Sequence, residues 1–454
     1  MAPDDSNESG PANGGQRYAP LDARVVLRGL RLVDGTGADP IAEAAIEIEG
    51  DRIAHVGKRA PFGPEVDLTG LTVLPGLIDA HSHLGLVDMT DMEGERSSLS
   101  VLAGTIFKVC GNAIDSGFTT VRDAGGVDGG LVKAIEMGLV RGPRIFPSGA
   151  LLCQSAGHGD FRSPFANRHI DGHPGLVVPS VVVDGADEMR KAVRENFRRG
   201  ATQIKVCVSG GVITSNEHEN IDHPQLSLEE LKVAVEEAAA RDTYVMAHAH
   251  TLRGIRMGLE AGIKSFEHVT GLDDQTAAAM ATAGAFAVPT LAVAHLMATE
   301  WREWGVPESA VERIRGIEQA MGRSLLMCVR AGVKVGSGSD LLGPKQDRRG
   351  LELVLRSHLI GPLTAVMSAT RINAELMHIS ERLGTVSPGK IADLIAYDGD
   401  PLKDPELFDQ PDKVVLVVKG GKIVKDLRGT RRVAPARERT TAAMPTQPPI
   451  QPRG

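Results

Sequence analysis

Aromatic residues are scarce in this chain of 454 residues, where Trp, Tyr and Phe together make up 3%. Cysteine is scarce too. Cys110, Cys153, Cys207 and Cys328 are too scattered for a disulfide framework and suit free, buried thiols. No apolar stretch approaches the roughly 20 residues that span a bilayer, and the first residues lack a basic segment followed by an apolar one. We therefore expect a cytoplasmic protein without a membrane partner.

The chain also lacks an excess of basic residues, because 50 Lys and Arg against 58 Asp and Glu give a formal net charge of −8. Nucleic acids and anionic membranes are bound by basic surfaces, so we expect neither as a partner. An apolar fraction of 42% and a charged fraction of 24% are ordinary for a globular protein. The length allows one large domain and a smaller one.

The two ends of the chain differ in composition from its middle. Residues 1–20 are rich in Gly, Pro, Asn and Ser, and residues 429–454 in Pro, Thr and Arg, which predicts disordered or extended arms. Between the arms and the middle, alternating runs bounded by turn residues predict strands at 25–28, 45–49, 52–56, 392–397 and 414–418. We therefore expect a small β-sandwich domain built from both chain ends, residues 21–73 and 385–428.

The middle, residues 74–384, alternates strand-like and helix-like patterns. The strand-like segments lie at 74–83, 117–123, 143–149, 203–208, 243–248, 263–268, 285–290 and 333–340. Helical patterns such as 228–241 and 309–331 separate them. Eight strands alternating with helices predict an α/β fold, a (β/α)8 barrel of the TIM type.

Two histidines close the first of these strands. His81 and His83 are one residue apart, and because side chains alternate along a strand, both imidazoles can reach one cation. The carboxyl ends of barrel strands form the active-site face. Four more polar residues that can bind a metal stand at the ends of later strands, namely Lys205, His248, His268 and Asp340. The six are predicted to converge in one site.

Each of these residues has a structural alternative. A lone histidine at a strand end is more often a hydrogen-bonded core residue than a ligand. Lys205 could form a buried ion pair with Asp340, since an unpaired ammonium is costly in an apolar strand. Asp340, which follows Gly-Ser-Gly-Ser, could cap the next helix. The set of six favours a metal site, although no member does so alone.

The same motifs closely resemble those of the metal-dependent amidohydrolase superfamily. They are Leu-Pro-Gly-Leu-Ile-Asp at 74–79 before His-Ser-His, the four later strand-end residues, and Gly-Thr-Val-Ser-Pro-Gly-Lys-Ile-Ala-Asp-Leu at 384–394. The resemblance runs from about residue 25 to 427. Residues 117–126 and the Gly-His-Gly-Asp at 157–160 are similar to the imidazolonepropionase-like branch, which includes Xaa-Pro dipeptidases and ochratoxin-type amidases.

One motif departs from that branch. The branch commonly has Gly-Thr-Asp before its eighth helix, whereas this chain has Gly-Ser-Asp followed by Leu-Leu-Gly-Pro. The ligand is kept, but the loop that shapes the pocket differs. The resemblance therefore leaves the substrate open.

The resemblance implies two divalent metal ions, usually zinc, bridged by a Lys205 that has been carboxylated by CO2. By analogy His81, His83 and Asp340 would bind one ion, and His248 and His268 the other. A hydroxide bridging the two metals would be the nucleophile.

The resemblance also implies two catalytic side chains. Asp340 would take the proton of the nucleophile and pass it to the leaving amine. His158 would help a metal to polarise the carbonyl. The expected activity is hydrolysis of an amide or peptide C–N bond in a small molecule, an N-acyl amino acid or a dipeptide, by a homo-oligomer.

Such substrates carry a free carboxylate that needs a cationic or hydrogen-bonding partner. Arg122, Arg162 and His250 stand near predicted strand ends or in loops and are our candidates, although Arg122 could instead pair with Asp123 or a backbone carbonyl. Trp301 and Trp304 could cover an aromatic acyl group or simply pack under a loop. The Gly- and Pro-rich residues 151–183 could act as a lid.

Two rival functions remain open at this point. One keeps the site but acts on a cyclic amide, a carbamate or a urea-type substrate. The other is an amidohydrolase-like scaffold that has lost its metals, against which the retention of all six ligands argues.

Overall fold

The computed structural model describes residues 19–20, 24–59, 64–88, 97–162, 172–212, 220–343 and 346–430. Its strands are β1 (Ala19–Pro20), β2 (Arg24–Leu32), β3 (Ile41–Glu49), β4 (Arg52–Gly57), β5 (Glu65–Asp67), β6 (Leu71–Pro75), β7 (Leu77–Ser82), β8 (Phe118–Asp123), β9 (Gly126–Val127), β10 (Arg144–Pro147), β11 (Leu151–Cys153), β12 (Val177–Val178), β13 (Ser180–Val182), β14 (Ile204–Cys207), β15 (Val245–Ala249), β16 (Ser265–His268), β17 (Phe286–Val288), β18 (Lys334–Val335), β19 (Leu394–Asp398), β20 (Val414–Lys419) and β21 (Lys422–Asp426). Its α-helices are α1 (Leu99–Asp115), α2 (Gly129–Glu136), α3 (Ala186–Arg198), α4 (Leu228–Ala239), α5 (Leu252–Ala261), α6 (Asp274–Thr282), α7 (Leu291–Thr299), α8 (Glu308–Ala331), α9 (Leu351–Ile360), α10 (Pro362–Met367) and α11 (Asn373–Leu376).

Parallel strands separated by helices close into a barrel. The order is β7, β8, β10 with β11, β14, β15, β16, β17 and β18, and every neighbouring pair within its sheets is parallel. The last strand region returns to the first, since the Ala80 amide donates to the Ser337 carbonyl at 2.9 Å and the Asp340 amide to the His81 carbonyl at 2.8 Å. The predicted (β/α)8 barrel is confirmed.

The third barrel strand is split into two pieces. β10 pairs with β8, whereas β11 pairs with β14 on its other side. The break falls after Pro147, which has no amide to donate to a ladder, and at Gly149, whose φ of 70° suits glycine. Part of the segment predicted as a lid is therefore barrel strand, because β11 lies within residues 151–183. Residues 163–171 of that segment lie outside the described part of the chain.

Local sequence signals mark the ends of the barrel helices. Ser227 and Glu230 form a reciprocal capping box at the start of α4. Left-handed glycines end α5 at Gly262 and α8 at Gly332. These helices pack on the outer face of the strands and bury an apolar layer that includes Ile204, Val206, Phe266 and Ala287.

A second sheet is assembled from both chain ends. Its order is β1, β21, β20, β19, β6, β2, β3 and β4, with β5 paired to β2. The junction of early and late chain is the antiparallel pair of β6 with β19, in which Leu74 faces Ile395. The β-sandwich domain built from both ends is thus present beside the barrel. No helix among the described residues is both long and apolar enough to cross a membrane.

Candidate metal centre and active site

The six predicted ligands meet in one cavity at the carboxyl ends of the barrel strands. His81 and His83 lie at the end of β7, Lys205 in β14, His248 in β15 and His268 at the end of β16, while Asp340 follows β18. All six line a cavity of about 220 Å³. Parallel strands deliver their last residues to one rim, which is why residues 259 positions apart in sequence, His81 and Asp340, become neighbours.

The histidines of β7 both turn a ring nitrogen toward Asp340. His81 Nδ1 donates to Glu267 Oε2 at 2.7 Å and His83 Nδ1 donates to the Gly125 carbonyl at 3.1 Å, since neither acceptor carries a hydrogen. In the neutral rings Nε2 therefore keeps its lone pair. These two Nε2 atoms lie 3.2 and 3.3 Å from the same oxygen, Asp340 Oδ1.

His81 Nε2, His83 Nε2 and Asp340 Oδ1 are all electron-rich, and atoms of this kind at 3.2–3.3 Å are stabilised by a positive charge between them. A proton can bridge Asp340 to only one of the two imidazoles, whereas a metal ion can be bound by all three atoms at once. Imidazole nitrogens and a carboxylate oxygen are ligands that zinc and similar divalent ions accept. The donor set of His81, His83 and Asp340 therefore fits a metal ion.

A second group of ligands lies beside the first. One ligand atom from each of His248, His250 and His268 lies within 4.8 Å of the others, and the same holds for His81, His268 and Asp340. His268 belongs to both groups, so the groups adjoin. His250, predicted as a substrate contact, is thus also placed to bind a metal.

Lys205 is buried among these ligands, with its side chain 2% exposed. Its Nζ lies 3.4 Å from His81 Nε2. Among the described residues no carboxylate oxygen lies within 4.0 Å of Nζ, so the ion pair with Asp340 is not formed. Burial lowers the pKa of Lys205, which makes its neutral amine easier to reach.

Most of the remaining ligands are in the protonation state that binds a metal. His81 differs, because burial lowers its pKa but Asp340 and Glu267 outweigh burial and raise it above the ordinary value. Burial lowers the pKa of His83, takes that of His248 and His268 well below the ordinary value, and brings that of His250 to about 3. Burial alone would raise the pKa of Asp340, but the neighbouring histidines hold it well below its usual range. Neutral imidazoles and an ionised carboxylate are the ligand forms of these groups.

The backbone at the rim is held in an uncommon conformation. His268 and Asp340 have φ of 68° and 54°, in the left-handed region that residues other than glycine rarely adopt. Asp79 keeps the neighbouring turn in place, because its carboxylate accepts from the Ser339 amide at 3.0 Å and from Arg349 at 2.7 Å. Gly338 is needed there, since a Cβ would collide with His81.

The remaining cavity wall is largely apolar. Its apolar side chains come from β11, from several loops and from the helices α7 and α8. They are Leu86, Leu151, Phe161, Pro179, Val212, Val293, Ala294, Met297, Met321 and Leu342. The polar exceptions beyond the predicted ligands include His158, His250 and Thr290. His158 stacks on His248 with a ring separation of 4.2 Å, so this predicted catalytic side chain stands directly over the ligands.

The two arginines predicted to bind a substrate carboxylate are engaged elsewhere. Arg122 is fully buried and donates to the Ala80 carbonyl, so the structural alternative with a backbone carbonyl is what the structure shows. It also binds Glu267 at 3.0 Å. Arg162 forms an ion pair with Asp160 at 2.6 Å. Neither lines the cavity. The structure does not support either arginine as the substrate contact.

The tryptophans also lie away from the cavity lining. Trp304 is buried in the apolar cluster beneath α7, and Trp301 packs against that cluster with its ring under the Arg302 guanidinium. Both tryptophans therefore pack in or against an apolar cluster, and neither lines the cavity.

Sequence reasoning missed Glu267. This residue precedes His268 in β16 and is fully buried, where it contacts His81. The available signal was an acidic residue inside a strand that is otherwise buried, which calls for a partner. That partner could not be named without the fold.

A (β/α)8 barrel whose strand ends bring four histidines, a lysine and an aspartate into one cavity defines a class of barrel protein with side chains that could bind a metal ion. The comparison with known families agrees with this class. The chain belongs to the amidohydrolase family, whose model matches residues 72–424. It is a hydrolase acting on carbon–nitrogen bonds, and its activity class is amide-bond hydrolysis.

Several relatives cover almost the whole chain. Ochratoxinase of Aspergillus niger is 33% identical over 421 residues, which are 88% of this chain and 86% of that protein. A prolidase solved in complex with N-methylphosphonate-L-proline is 37% identical with a TM-score of 0.83, covering 89% of this chain and 100% of its own. The solved Aspergillus niger ochratoxinase structure has 31% identity, a TM-score of 0.79, and coverage of 89% and 96%.

Proposed function

We propose that the protein is a metal-dependent amidohydrolase that cleaves the amide or peptide C–N bond of an N-acyl amino acid or a dipeptide. The observation that carries the proposal is the convergence of His81 Nε2 and His83 Nε2 on Asp340 Oδ1 at 3.2 and 3.3 Å. The proposed ligands are His81, His83, Lys205, His248, His268 and Asp340, with two divalent ions, zinc in the first place. When bound, such ions lower the pKa of water and polarise a carbonyl.

Lys205 is proposed to act as a carbamate. Its buried, neutral amine would form an N–C bond with CO2 and release a proton, giving an anion with two oxygen ligands. This change replaces a buried ammonium, which is costly without a partner, by a group that suits a site rich in cations. The burial of Lys205 and the distance of carboxylates from its Nζ support the assignment.

Asp340 is the proposed general base. It is held ionised beside His81, His83 and His268, the last with Nδ1 at 3.6 Å from Oδ2. It would accept a proton from the attacking water and return it to the nitrogen of the leaving amine. His158, which stands over His248, is placed to donate a hydrogen bond to the carbonyl oxygen as negative charge develops.

The cavity wall supports a substrate with apolar groups. α7 supplies Val293, Ala294 and Met297, and the facing helix supplies Met321. Burying an apolar side chain against such a wall is worth roughly 25 cal/mol per Å². Arg122 and Arg162 are engaged elsewhere. Of the three candidates for contact with a substrate carboxylate, His250 is therefore the one that lines the cavity.

The names of the relatives support amino-acid-containing substrates. One relative is a prolidase crystallised with a proline phosphonate, and another is an ochratoxinase. Because both relatives match nearly the full length of this chain, they support an amide as the substrate class.

The test is a substrate panel with the zinc-loaded protein. N-acyl amino acids and dipeptides with apolar side chains should be hydrolysed. Amidating their carboxyl group should lower kcat/KM by about tenfold or more, which corresponds to roughly 1.4 kcal/mol of lost binding. An equal rate with the amidated substrates would refute recognition of the carboxylate.

A second candidate substrate class is favoured by one specific observation. Among the described residues that line the cavity, Lys205 is the sole Lys or Arg side chain, and it lies among the ligands. A neutral cyclic amide, carbamate or urea would need no further cation. Faster turnover of these compounds than of N-acyl amino acids would select this candidate.

A further inference from the structure

Glu267 lies directly behind the proposed metal ligands and is not part of the cavity lining. Its Oε2 accepts a hydrogen bond from His81 Nδ1 at 2.7 Å. Its two oxygens also accept from Arg122 Nη2, at 3.0 and 3.1 Å, and Oε1 accepts from the Ser265 hydroxyl at 2.5 Å. The carboxylate is therefore fully engaged and has one orientation.

Arg122 fixes that orientation from the opposite side of the barrel. β8, which carries Arg122, and β16, which carries Glu267, are four strands apart in the barrel in either direction, so the side chain crosses the barrel interior. Its other nitrogens donate to the Ala80 carbonyl, to Ser265 Oγ at 3.1 Å and to the Tyr244 hydroxyl at 3.4 Å. A guanidinium held at all these points leaves Glu267 little freedom to move.

The contact with His81 determines which nitrogen of this ring faces the cavity. A carboxylate is only an acceptor, so Nδ1 carries the hydrogen and Nε2 presents its lone pair toward Asp340. His83 has the same tautomer but a different acceptor, because its Nδ1 donates to the neutral Gly125 carbonyl. A carboxylate partner also raises the basicity of a ligating imidazole.

We propose that Glu267 is a positioning residue of the metal site, acting through His81, and that Arg122 holds Glu267 in place. Glu267 selects the His81 tautomer, fixes the ring plane and strengthens Nε2 as a ligand. The inference rests on the proposed metal-dependent function. It gives Arg122 a role in metal binding in place of a contact with the substrate.

The test is zinc affinity, measured by competition with a chromogenic chelator for the wild-type protein and for Glu267→Gln. The amide has one acceptor oxygen and would turn a donor toward either His81 or Arg122. We expect a 10- to 100-fold weaker affinity, the range typical of partners that orient a metal ligand. Nitrogen-15 NMR of the zinc-free protein should show loss of the Nδ1-protonated form of His81.

A double variant separates this role from a merely structural one. Glu267→Gln leaves Arg122 buried without its anionic partner, which is destabilising in itself. Arg122→Met combined with Glu267→Met removes both charges at similar volume and should restore much of the thermal stability. Zinc affinity should stay low in the double variant, because His81 Nδ1 still lacks its acceptor. Recovery of affinity together with stability would overturn the proposal.

The matched control is Glu352→Gln. Glu352 and Arg356 form another fully buried ion pair, with 2.7 Å between Arg356 Nε and Glu352 Oε1, and neither lines the cavity. This variant should lose stability and keep zinc affinity, and an equal loss of affinity in it would overturn the inference. If wild type binds zinc and Glu267→Gln binds it as tightly, the positioning role fails while the proposed function stands. If wild type binds no divalent metal, the proposed function itself fails.

Discussion

Two polar regions lie one above the other in the barrel and differ in how their groups are paired. In the lower region, the barrel network of Arg122, Tyr244, Ser265 and Glu267, donors face acceptors throughout. In the upper region, the ligand cluster of His81, His83, His248, His268 and Asp340 with Lys205, lone pairs of His81 and His83 face a carboxylate oxygen. The first is complete without a ligand, and the second would be completed by a bound cation.

The difference assigns separate roles to the two regions. A buried network whose members are all paired rigidifies a core and becomes costly when one partner is removed. A cluster of converging acceptors is unfavourable for folding alone and is kept for binding, where the ligand supplies the missing charge. Changes in the ligand cluster should therefore act on metal content and turnover, and changes in the barrel network on stability as well.

The largest effect is expected from Lys205→Ala. Removing the proposed bridge should lower the metal content and reduce turnover to near background, while the fold survives because alanine is compatible with the buried strand. Short carboxylic acids such as acetate should restore part of the activity by replacing the carbamate oxygens. Metal content per chain and turnover with and without acetate are the measurements.

Lys419→Ala is the matched control for the lysine, because Lys419 is also buried in part and donates to the Gly142 carbonyl, and neither residue lines the cavity. It should leave metal content unchanged. If Lys205→Ala keeps its full metal content and full turnover, Lys205 is not a metal ligand.

Asp340→Asn should lower kcat by roughly 10²- to 10⁴-fold, since proton transfer by a positioned side chain contributes about that much. The amide keeps an oxygen toward the cavity but cannot accept the proton of the attacking water. The comparison is with Asp393→Asn, which changes a buried carboxylate paired with Arg144 outside the cavity. Near-normal kcat in metal-loaded Asp340→Asn would contradict the role as base.

The pH dependence of the thermal stability of metal-free protein tests the barrel network. Burial raises the pKa of Glu267, but Arg122 and His81 outweigh it and bring the pKa down to about 2 from an ordinary 4.5. The folded state thus binds fewer protons, so its stabilisation is complete above pH 4.5 and declines by about 1.4 kcal/mol per pH unit as the pH falls toward 2. Glu267→Gln lacks this titration. The difference in thermal midpoint between wild type and variant should narrow below pH 4.5, and a constant difference would contradict the assignment.

The smallest effect concerns the cavity wall. Met297→Ala removes apolar contact and should lower kcat/KM for substrates with a large apolar group by about fivefold to tenfold, since losing part of a hydrophobic contact costs roughly 1–1.4 kcal/mol at the lower end of the usual range. Met189 is equally buried but lies outside the cavity, so Met189→Ala should reduce stability and leave kcat/KM unchanged. Equal effects of both variants on kcat/KM would argue against an apolar substrate subsite at Met297.

The ligand cluster was predictable because strand ends can be read from the sequence. Once eight strands are placed, His81, Lys205 and Asp340 must share a rim, whatever the side-chain details. The barrel itself followed from the same alternation of strands and helices. The second half of the third strand, β11, was hidden by the Gly and Pro residues around it. The predicted first barrel strand, 74–83, also includes the end of β6, which belongs to the other sheet.

The barrel network was not predictable because it depends on directions across the barrel interior. Arg122 precedes Asp123 at the end of β8 and looked available for a substrate, yet its side chain crosses to β16 and binds Glu267. Arg162 likewise found a partner two residues away, Asp160, by folding back on its own loop. Such pairings depend on distances in the folded structure, which cannot be read from the periodicity of the sequence.

The most direct test of the central claim is a zinc titration of chelator-treated wild-type protein, with bound metal and hydrolysis of an N-acyl amino acid followed in the same samples. Because the lone pairs of the ligand cluster would be paired with a cation, we predict that zinc binds tightly. Turnover should rise from near zero as zinc is added and reach its limit when two equivalents are bound. Turnover that survives complete removal of metal would contradict the account. A protein that binds no zinc and hydrolyses no amide would instead be the metal-free scaffold.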